Sequence, residues 1–255
     1  MSDLRLFNIK NAVLFAKRPA DLAVIKAVIA ENAYDLLGLR ILARDYVISG
    51  HNNEIIDIIG YDENNQLTII EFRAGKYGPV IGKSLKHIDY IMKNPSEIKL
   101  LINEKLGYDL ASSVCLSPRL ISIGDDFNQY DEYAIKQTPY MIDLIKYQLF
   151  ENKYLLLEKN YQSKKIDQIS PGVQEQTALS RVIRDFILSL GDEVCEVGYG
   201  NVYAFRKIRN FIYLFDGEQI ELRVSAQKTY KTYKIKNRRD FEKYQNEIES
   251  GYDRN

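Results

Sequence analysis

Hydrophobic and polar residues follow two kinds of pattern along this chain, and each kind predicts a different element. Runs rich in β-branched residues between polar turns predict strands, whereas apolar residues three and four positions apart predict amphipathic helices. In the first part of the chain these patterns predict, in order, a short strand or hairpin over 4–16, a helix over 20–37, strands over 41–49, 54–61 and 67–73, helices over 82–93 and 95–106, a strand over 119–124, a short helix within 125–137, and strands over 140–150 and 153–157.

The polar segment 159–174 contains a Pro-Gly pair and little periodicity, so we expect a domain boundary there. Beyond it the patterns predict a helix, four short strands and a final helix: 176–190, 194–197, 202–207, 211–215, 220–224 and 239–248. The predicted fold class is therefore α/β. Residues 1–158 should form a mixed sheet flanked by helices, and residues 175–255 a small α+β domain.

Two carboxylates occupy facing strands of the central predicted hairpin. If the hairpin is symmetric about Asn64, Asp57 lies directly opposite Glu71, with Cβ atoms roughly 4.5–5.5 Å apart. Carboxylates this close repel each other, so a positive group should lie between them. Arg73, on the same face as Glu71, is one candidate, and a divalent cation with oxygen ligands is the other. An ordinary polar pair neutralised by Arg73 is the structural alternative.

The helix that follows this hairpin has a polar and an apolar side. Its polar positions recur at spacings of three and four: Lys83, Lys86, His87 and Tyr90. Its apolar positions fall on another side: Leu85, Ile88 and Met92. We expect His87 to pack or to form a hydrogen bond on this helix rather than to act as a general base.

The strand with Asp57, the hairpin, Glu71-Phe72-Arg73, the loop and the polar-faced helix together resemble the core of the PD-(D/E)XK, or restriction-endonuclease-like, nuclease superfamily. The resemblance extends to AENAYDLLGLRILARDY upstream and SPRLISIGDDFNQYDEYAIKQTPYMIDLIKYQLFENKYLLLE downstream. Over nearly the whole chain it is similar to one branch of bacterial nuclease-like proteins that couples such a domain to a small C-terminal domain of unknown function.

The resemblance implies a role for each matching residue. Glu31 would be the helix acid, and Asp57 and Glu71, with the Phe72 carbonyl, would bind Mg²⁺ or Mn²⁺. Arg73 stands at the position of the superfamily lysine, and Lys83 at that of a helix glutamine. The implied partner is nucleic acid, in particular DNA, and the side chains we expect to contact it are Lys76, Lys86 and Tyr90.

The departures at Arg73 and Lys83 leave two functions open. Arginine is a planar, permanently charged fork that pairs readily with carboxylates, so Arg73 could take the place of the metal. Lys83, entering from the helix, could instead restore the missing ammonium. The first function is a metal-dependent DNA endonuclease, in which the ion lowers the pKa of a bound water. The second is a non-catalytic nucleic-acid-binding or scaffold protein derived from a nuclease.

The amino-acid composition excludes several other classes of protein. The chain has 255 residues with 35 basic and 35 acidic side chains, which excludes a highly basic nucleic-acid coat but allows a local basic groove. Two distant cysteines and two histidines support neither a zinc site nor a disulfide framework. No signal peptide or membrane-spanning run is evident, so we expect a cytoplasmic protein with no membrane partner. A homodimer is left open.

The run 228–239 combines basic residues with Tyr230 and Tyr233. Such a run could hold phosphates while its rings stack on bases. A solvated edge strand, in which lysines prevent edge-to-edge pairing, is the structural alternative.

Overall fold

A computed structural model describes residues 4–48, 54–73, 75, 80–162, 177–226 and 229–255. The chain divides into two compact units, one formed by Met1–Asp35 with Leu39–Lys165 and the other by Leu36–Gly38 with Ile166–Asn255. The predicted α/β fold class is confirmed, because a mixed sheet with helices is followed in the chain by an antiparallel sheet with helices of its own. No helix in the described part of the chain is long and apolar enough to cross a membrane.

The elements of the first unit follow the predicted order closely. In chain order they are β1 (Leu6–Asn8), β2 (Val13–Phe15), β3 (Lys17–Arg18), α1 (Leu22–Glu31), α2 (Ala33–Leu37), β4 (Leu39–Val47), β5 (Ile55–Asp62), β6 (Gln66–Arg73), α3 (Val80–Lys93), α4 (Pro95–Leu106), α5 (Tyr108–Ala111), β7 (Cys115–Gly124), α6 (Gln129–Lys136), β8 (Met141–Phe150) and β9 (Tyr154–Gln162). Strand β9 thus continues four residues into the segment predicted as a linker, and residues 163–174 of that segment lie outside the described residues.

The described strands β3 to β9 form one mixed sheet. Its order is β3-β8-β7-β6-β5-β4, and β9 pairs with β8 on the edge opposite β3, since both strands pair with Leu149 and Phe150. Strands β4, β5 and β6 are a consecutive antiparallel meander, whereas β7 runs parallel to both β6 and β8. Parallel neighbours need a crossover connection, and α3, α4 and α5 supply it between β6 and β7.

The helix predicted over 20–37 is divided into α1 and α2. Asp21 caps α1, accepting a hydrogen bond of 2.9 Å from the Ala23 N–H, and Asn32 ends it. Gly38 has a φ of 67°, a left-handed conformation that glycine adopts without a side-chain clash, and it ends α2 as predicted.

The core of the first unit lies between the sheet and the helices α3 and α4. Its buried side chains are mostly isoleucine and leucine from both layers, including Ile69, Ile88, Ile98 and Leu120. Apolar burial of this kind supplies most of the stabilisation of such a layer. The sheet and helices therefore form a rigid base for the side chains at the ends of β5 and β6.

Strand β3 joins the sheet through a partner far along the chain. Lys17 in β3 pairs with Phe150 in β8. Beside this pair the Ala16 N–H donates to Glu151 Oε1 at 2.8 Å, and the Glu151 N–H donates to the Ala16 carbonyl at 3.1 Å. One edge of the sheet thus depends on contacts between the two ends of the unit.

The second unit is an antiparallel five-stranded sheet with two described helices. Its elements are α7 (Ala178–Leu188), β10 (Cys195–Tyr199), β11 (Val202–Arg206), β12 (Asn210–Phe215), β13 (Ile220–Ala226), β14 (Thr229–Ile235) and α8 (Arg238–Asp253), and its strands lie in sequential order. Side chains of both helices, such as Ile187 and Phe241, share one core with the sheet residues Phe205 and Leu222. Residues 229–235 of the basic-aromatic run form the edge strand β14, and Arg238 and Arg239 begin α8.

Candidate functional site

The hairpin of β5 and β6 has the register that its sequence predicts. Ile58 pairs with Ile70 and Tyr61 with Leu67, so the hairpin is symmetric about Asn64. The paired residues end at Ile58 and Ile70, and Asp57 and Glu71 are the next residue beyond this end on each strand. The two carboxylates therefore lie at the ends of adjacent central strands, where each must find a cationic or N–H partner.

Asp57 is neutralised by a lysine from the first helix. Lys26 Nζ lies 2.5 Å from Asp57 Oδ1, and the Phe72 N–H donates to Asp57 Oδ2 at 2.8 Å. The Lys26 ammonium also lies 5.6 Å from the centroid of the Phe72 ring. Both oxygens of this largely buried carboxylate, with 12% of its side chain exposed, are thus engaged by groups of this chain.

Glu71 is engaged by two side chains of α3. The residue is 2% exposed, and His87, which is fully buried, places Nδ1 at 2.5 Å from Glu71 Oε1. Lys83 Nζ lies 3.8 Å from Glu71 Oε2, with half of its own side chain exposed. His87 Nε2 has no hydrogen-bond partner within the described chain, so the contact with Glu71 is the one that orients the ring. His87 is thus both packed in the core and hydrogen-bonded, and its prediction named these two roles as alternatives.

Arg73 points to a partner that the sequence interpretation did not include. Its Nη1 lies 2.6 Å from Asp131 Oδ2 and its Nε donates to the Gly75 carbonyl at 2.7 Å. The guanidinium also lies 5.6 Å from the centroid of the Phe127 ring, and 1% of the side chain is exposed. Arg73 therefore does not fill the space between Asp57 and Glu71, and the proposal that it acts as their counterion is corrected.

Asp131 is held in place by the local sequence of α6. The Asn128 side chain accepts from the Tyr130 and Asp131 N–H groups, and the Asp131 carboxylate accepts from the Asn128 N–H, which completes a capping box. The same carboxylate binds Arg73, so one residue fixes the start of α6 and connects it to the end of β6. The Asn-x-x-Asp spacing was the signal in the sequence, but it indicates a helix start and not a tertiary partner.

Glu31 lies apart from the predicted metal-binding set. It is exposed at the end of α1 and lines a cleft of about 460 Å³ together with Tyr34, Arg40 and Arg44. Throughout the described residues, no group of three or more histidine, cysteine, aspartate or glutamate side chains is arranged to hold a metal ion. The helix residue that reaches the acidic pair is Lys26, whose signal was a single charge within the apolar run LAVIKAVIA.

The side chains predicted to contact nucleic acid divide into three cases. Lys86 is half exposed, and its ammonium lies 2.7 Å from Glu54 Oε1. Tyr90 is 8% exposed and its hydroxyl donates to Glu97 Oε2 at 2.6 Å, so its ring is part of the core and the prediction for it is corrected. Lys76 lies outside the described residues.

The buried side of α3 differs from the predicted one. His87 and Tyr90 are buried because each finds a carboxylate partner, while Met92, predicted on the apolar side, is 49% exposed.

These contacts decide whether the predicted divalent cation fits. Mg²⁺ prefers an octahedral set of oxygen ligands, and Mn²⁺ also favours carboxylate, carbonyl and water oxygens. The oxygens of Asp57 are occupied by Lys26 and the Phe72 N–H, and those of Glu71 face His87 and Lys83. In this arrangement the residues do not fit the ion, because side-chain cations already neutralise both acids.

Comparisons with known proteins give fold-level likenesses only. No family model and no curated protein matches the sequence. Among solved structures the chain is similar to a repair endonuclease from Pyrococcus abyssi, with 14% identity, 51% of this chain and 48% of that chain covered, and a TM-score of 0.34. It is also similar to EndoMS in a complex with double-stranded DNA, with 15% identity, 52% and 50% covered, and a TM-score of 0.29. This chain thus covers about half the length of each.

Proposed function

We propose that the first unit is a nuclease-like domain that binds nucleic acid, particularly DNA, through its phosphates, and that lysine side chains take the place of a divalent cation at its acidic pair. The observation that carries this proposal is the occupation of both carboxylates. Lys26 binds Asp57, while His87 and Lys83 engage Glu71. The runner-up is the metal-dependent endonuclease in which Asp57, Glu71, Arg73 and Lys83 are catalytic.

The cations of this site are placed to receive an anion. The side chains of Lys26, Lys83 and Lys86 are 36%, 52% and 53% exposed, although each ammonium lies next to a carboxylate. An ammonium has three donors, so one bond to a carboxylate leaves others for a phosphate oxygen. Lys83 and Lys86 are three residues apart on α3 and therefore project from the same side of the helix. The carboxylates orient the ammonium groups, and the ammonium groups would hold the phosphates.

The role of Arg73 differs between the two functions. A catalytic cation must approach the attacking water or the phosphate, but this guanidinium is buried and bound to Asp131 and Gly75. Lysine at this position would present a flexible point charge, whereas arginine is held as a planar fork by several acceptors. This geometry favours a structural role for Arg73 and a binding role for the domain.

The test compares two lysine pairs with equal loss of charge. Lys83→Ala combined with Lys86→Ala should weaken binding of a short labelled DNA duplex, and the slope of log affinity against log salt should fall by about 2. The matched control, Lys99→Ala combined with Lys105→Ala, removes two exposed cations from α4 and should leave affinity near that of the wild type. Fluorescence anisotropy over a salt series measures both.

Metal titration separates the proposal from the runner-up. We expect no calorimetric binding of Mn²⁺ to the wild type at millimolar concentration, and no cleavage of duplex, single-stranded or branched DNA in Mg²⁺. Binding of Mn²⁺ that disappears in Asp57→Ala, together with Mg²⁺-dependent cleavage, would establish the metal-dependent endonuclease instead. Equal DNA affinity of the two lysine pairs would refute the assigned binding surface.

A further inference from the structure

The sheet of the second unit has two different faces. One face packs against helices, and the other carries aromatic, basic and polar side chains. Both described helices of the unit contribute to the core on the first face. The strand registers, which pair Tyr213 with Arg223 and Arg223 with Thr232, place eight side chains of β12, β13 and β14 together on the other face. They are Tyr213, Phe215, Glu221, Arg223, Ser225, Tyr230, Thr232 and Lys234, and we refer to them as the β12–β14 face.

The aromatic rings of the β12–β14 face are held in fixed positions. The rings of Tyr213 and Tyr230 are 5.3 Å apart in a T-shaped arrangement. Asn210 connects them, because its side-chain amide donates to the Tyr213 hydroxyl at 2.8 Å and its carbonyl accepts from the Tyr230 hydroxyl at 3.0 Å. Rings fixed in this way lose little conformational entropy when a flat partner stacks on them.

Arg223 forms a second flat surface on the same face. Its guanidinium carbon lies 4.4 Å from the centroid of the Phe215 ring, and its Nε donates to Glu221 Oε1 at 2.7 Å. The side chain remains 48% exposed, so the guanidinium has one side on the ring and the other towards solvent. Arginine planes and aromatic rings are both surfaces on which nucleobases stack.

The charge and the exposure of the β12–β14 face also favour a ligand with bases and phosphates. Arg223, Thr232 and Lys234 are exposed, while Tyr213 is half-buried. Two cations against the single carboxylate of Glu221 leave this part of the sheet positive. On the same side of the sheet the neighbouring residues Ala204 of β11 and Val197 of β10 are buried, so the exposed cations of this side lie on β13 and β14.

We propose that the β12–β14 face binds single-stranded nucleic acid, with bases stacked on the Arg223–Phe215 pair and on the tyrosine rings, and with Arg223 and Lys234 near the phosphates. Tyr233, the other tyrosine of the basic run, faces the helices: its ring lies 4.6 Å from that of Tyr244 and its hydroxyl donates to Glu247. Only alternate residues of the run therefore take part. This surface belongs to the second unit and does not rest on the function proposed for the first.

The experiment uses the full chain and a short fluorescein-labelled oligothymidine strand. Arg223→Ala combined with Lys234→Ala should weaken binding about tenfold, since it removes one stacking surface and two cations. Its control, Arg238→Ala combined with Lys243→Ala, removes two exposed cations from α8 of the same unit and should change affinity less than twofold. An abasic strand of equal length should bind the wild type about tenfold more weakly than oligothymidine, because it has phosphates but no bases.

Two results would overturn the proposal. One is an equal loss of affinity in the two double variants, and the other is equal binding of the abasic strand and oligothymidine, which would mean attraction of charge alone. Each measurement is repeated with Lys83→Ala and Lys86→Ala also present. A loss caused by Arg223→Ala and Lys234→Ala that persists in this background belongs to the second unit, whether or not the first unit binds nucleic acid.

Discussion

Lys26 on α1 and Asp57 on β5 form an ion pair with 2.5 Å between Nζ and Oδ1, at the position where the sequence predicted a divalent cation or Arg73. The pair joins the helix to the end of a central strand, and 12% of the Asp57 side chain is exposed. Because a carboxylate in such a position needs a positive partner, the lysine has both a stabilising and a selective effect. It neutralises the acid, and its ammonium occupies the place that a divalent cation would take at Asp57 Oδ1.

Replacing this lysine should convert the site into one that binds a divalent cation. Lys26→Met keeps the aliphatic stem but leaves Asp57 Oδ1 without its partner, which should lower the free energy of unfolding by about 1–3 kcal/mol. Millimolar Mn²⁺ should then recover part of the loss by binding the folded state, while the wild type should not respond. Thermal unfolding with and without Mn²⁺ measures both effects.

The control for this experiment removes the acid as well. Lys26→Met combined with Asp57→Asn should lose the response to Mn²⁺, because the principal carboxylate ligand is gone. If Lys26→Met has the stability of the wild type and no response to Mn²⁺, the ion pair does not neutralise the site in the way described.

Arg73→Ala should lower the free energy of unfolding more than Lys26→Met does, and Mn²⁺ should not restore the stability that is lost. It leaves the Asp131 carboxylate, with 7% of its side chain exposed, without its cation, and the loss of one partner of a buried pair costs about 3–5 kcal/mol. Combining Arg73→Ala with Asp131→Asn should cost less than the sum of the single changes, with a coupling of about 1–3 kcal/mol. Urea unfolding of the four proteins in this cycle gives the coupling energy.

Additive losses in that cycle would show that the two residues do not act as a pair. Recovery of Arg73→Ala by Mn²⁺ would show that Arg73 neutralises the acidic pair after all. The contrast with Lys26→Met makes the two positions matched controls for each other.

His87 should stabilise the folded protein through its hydrogen bond to Glu71. His87→Leu leaves Glu71 Oε1 without a donor inside the core, so we expect a loss of about 1–3 kcal/mol in the free energy of unfolding. His87→Gln keeps a donor of similar reach and should lose less. Chemical unfolding at a single pH distinguishes the two variants, and equal losses would mean that ring packing, not the hydrogen bond, determines the effect.

Tyr252 should make the second unit sensitive to alkaline pH. Its hydroxyl donates to Glu193 Oε1 at 2.5 Å, and this hydrogen bond, with some burial, raises the pKa of Tyr252 from 10.0 to about 12. Above pH 10 the unfolded chain releases the proton that the folded chain retains, so the unfolded state binds fewer protons and stability falls as pH rises towards 12. In Tyr252→Phe this contribution is absent, and the decline should be shallower.

The measurement is the urea midpoint of the second-unit transition across that pH interval. Tyr130→Phe, at a tyrosine that is 74% exposed, is the control and should follow the wild type. A decline in Tyr252→Phe as steep as that of the wild type would contradict the assignment.

The sequence was sufficient where a local pattern determines the structure. The polar turn around Asn64 determined the register of β5 and β6, and Pro95 began α4 at the predicted residue. Such features depend on neighbours within a few residues. The same holds for Gly38, which ends α2 because of its own backbone conformation.

The site was harder to predict because its contacts join distant segments. Arg73 meets Asp131, and Asp57 meets Lys26, at separations of 58 and 31 residues. Residue type indicates that a buried charge needs a partner, but several candidates satisfy that rule until the fold is known. The burial of Tyr90 has the same origin, since Glu97 supplies an acceptor that periodicity alone does not indicate.

The pairing of β3 with β8 has a consequence for synthesis on the ribosome. The backbone N–H of Ala16 donates to the side chain of Glu151, a residue 135 positions later, so β3 is synthesised long before its partner β8. Contacts of such separation form late, because the chain between them must first be ordered. Until β8 has been synthesised, the backbone N–H and C=O groups of β3 lack their partners, and unpaired strands of this kind favour misassembly with other chains.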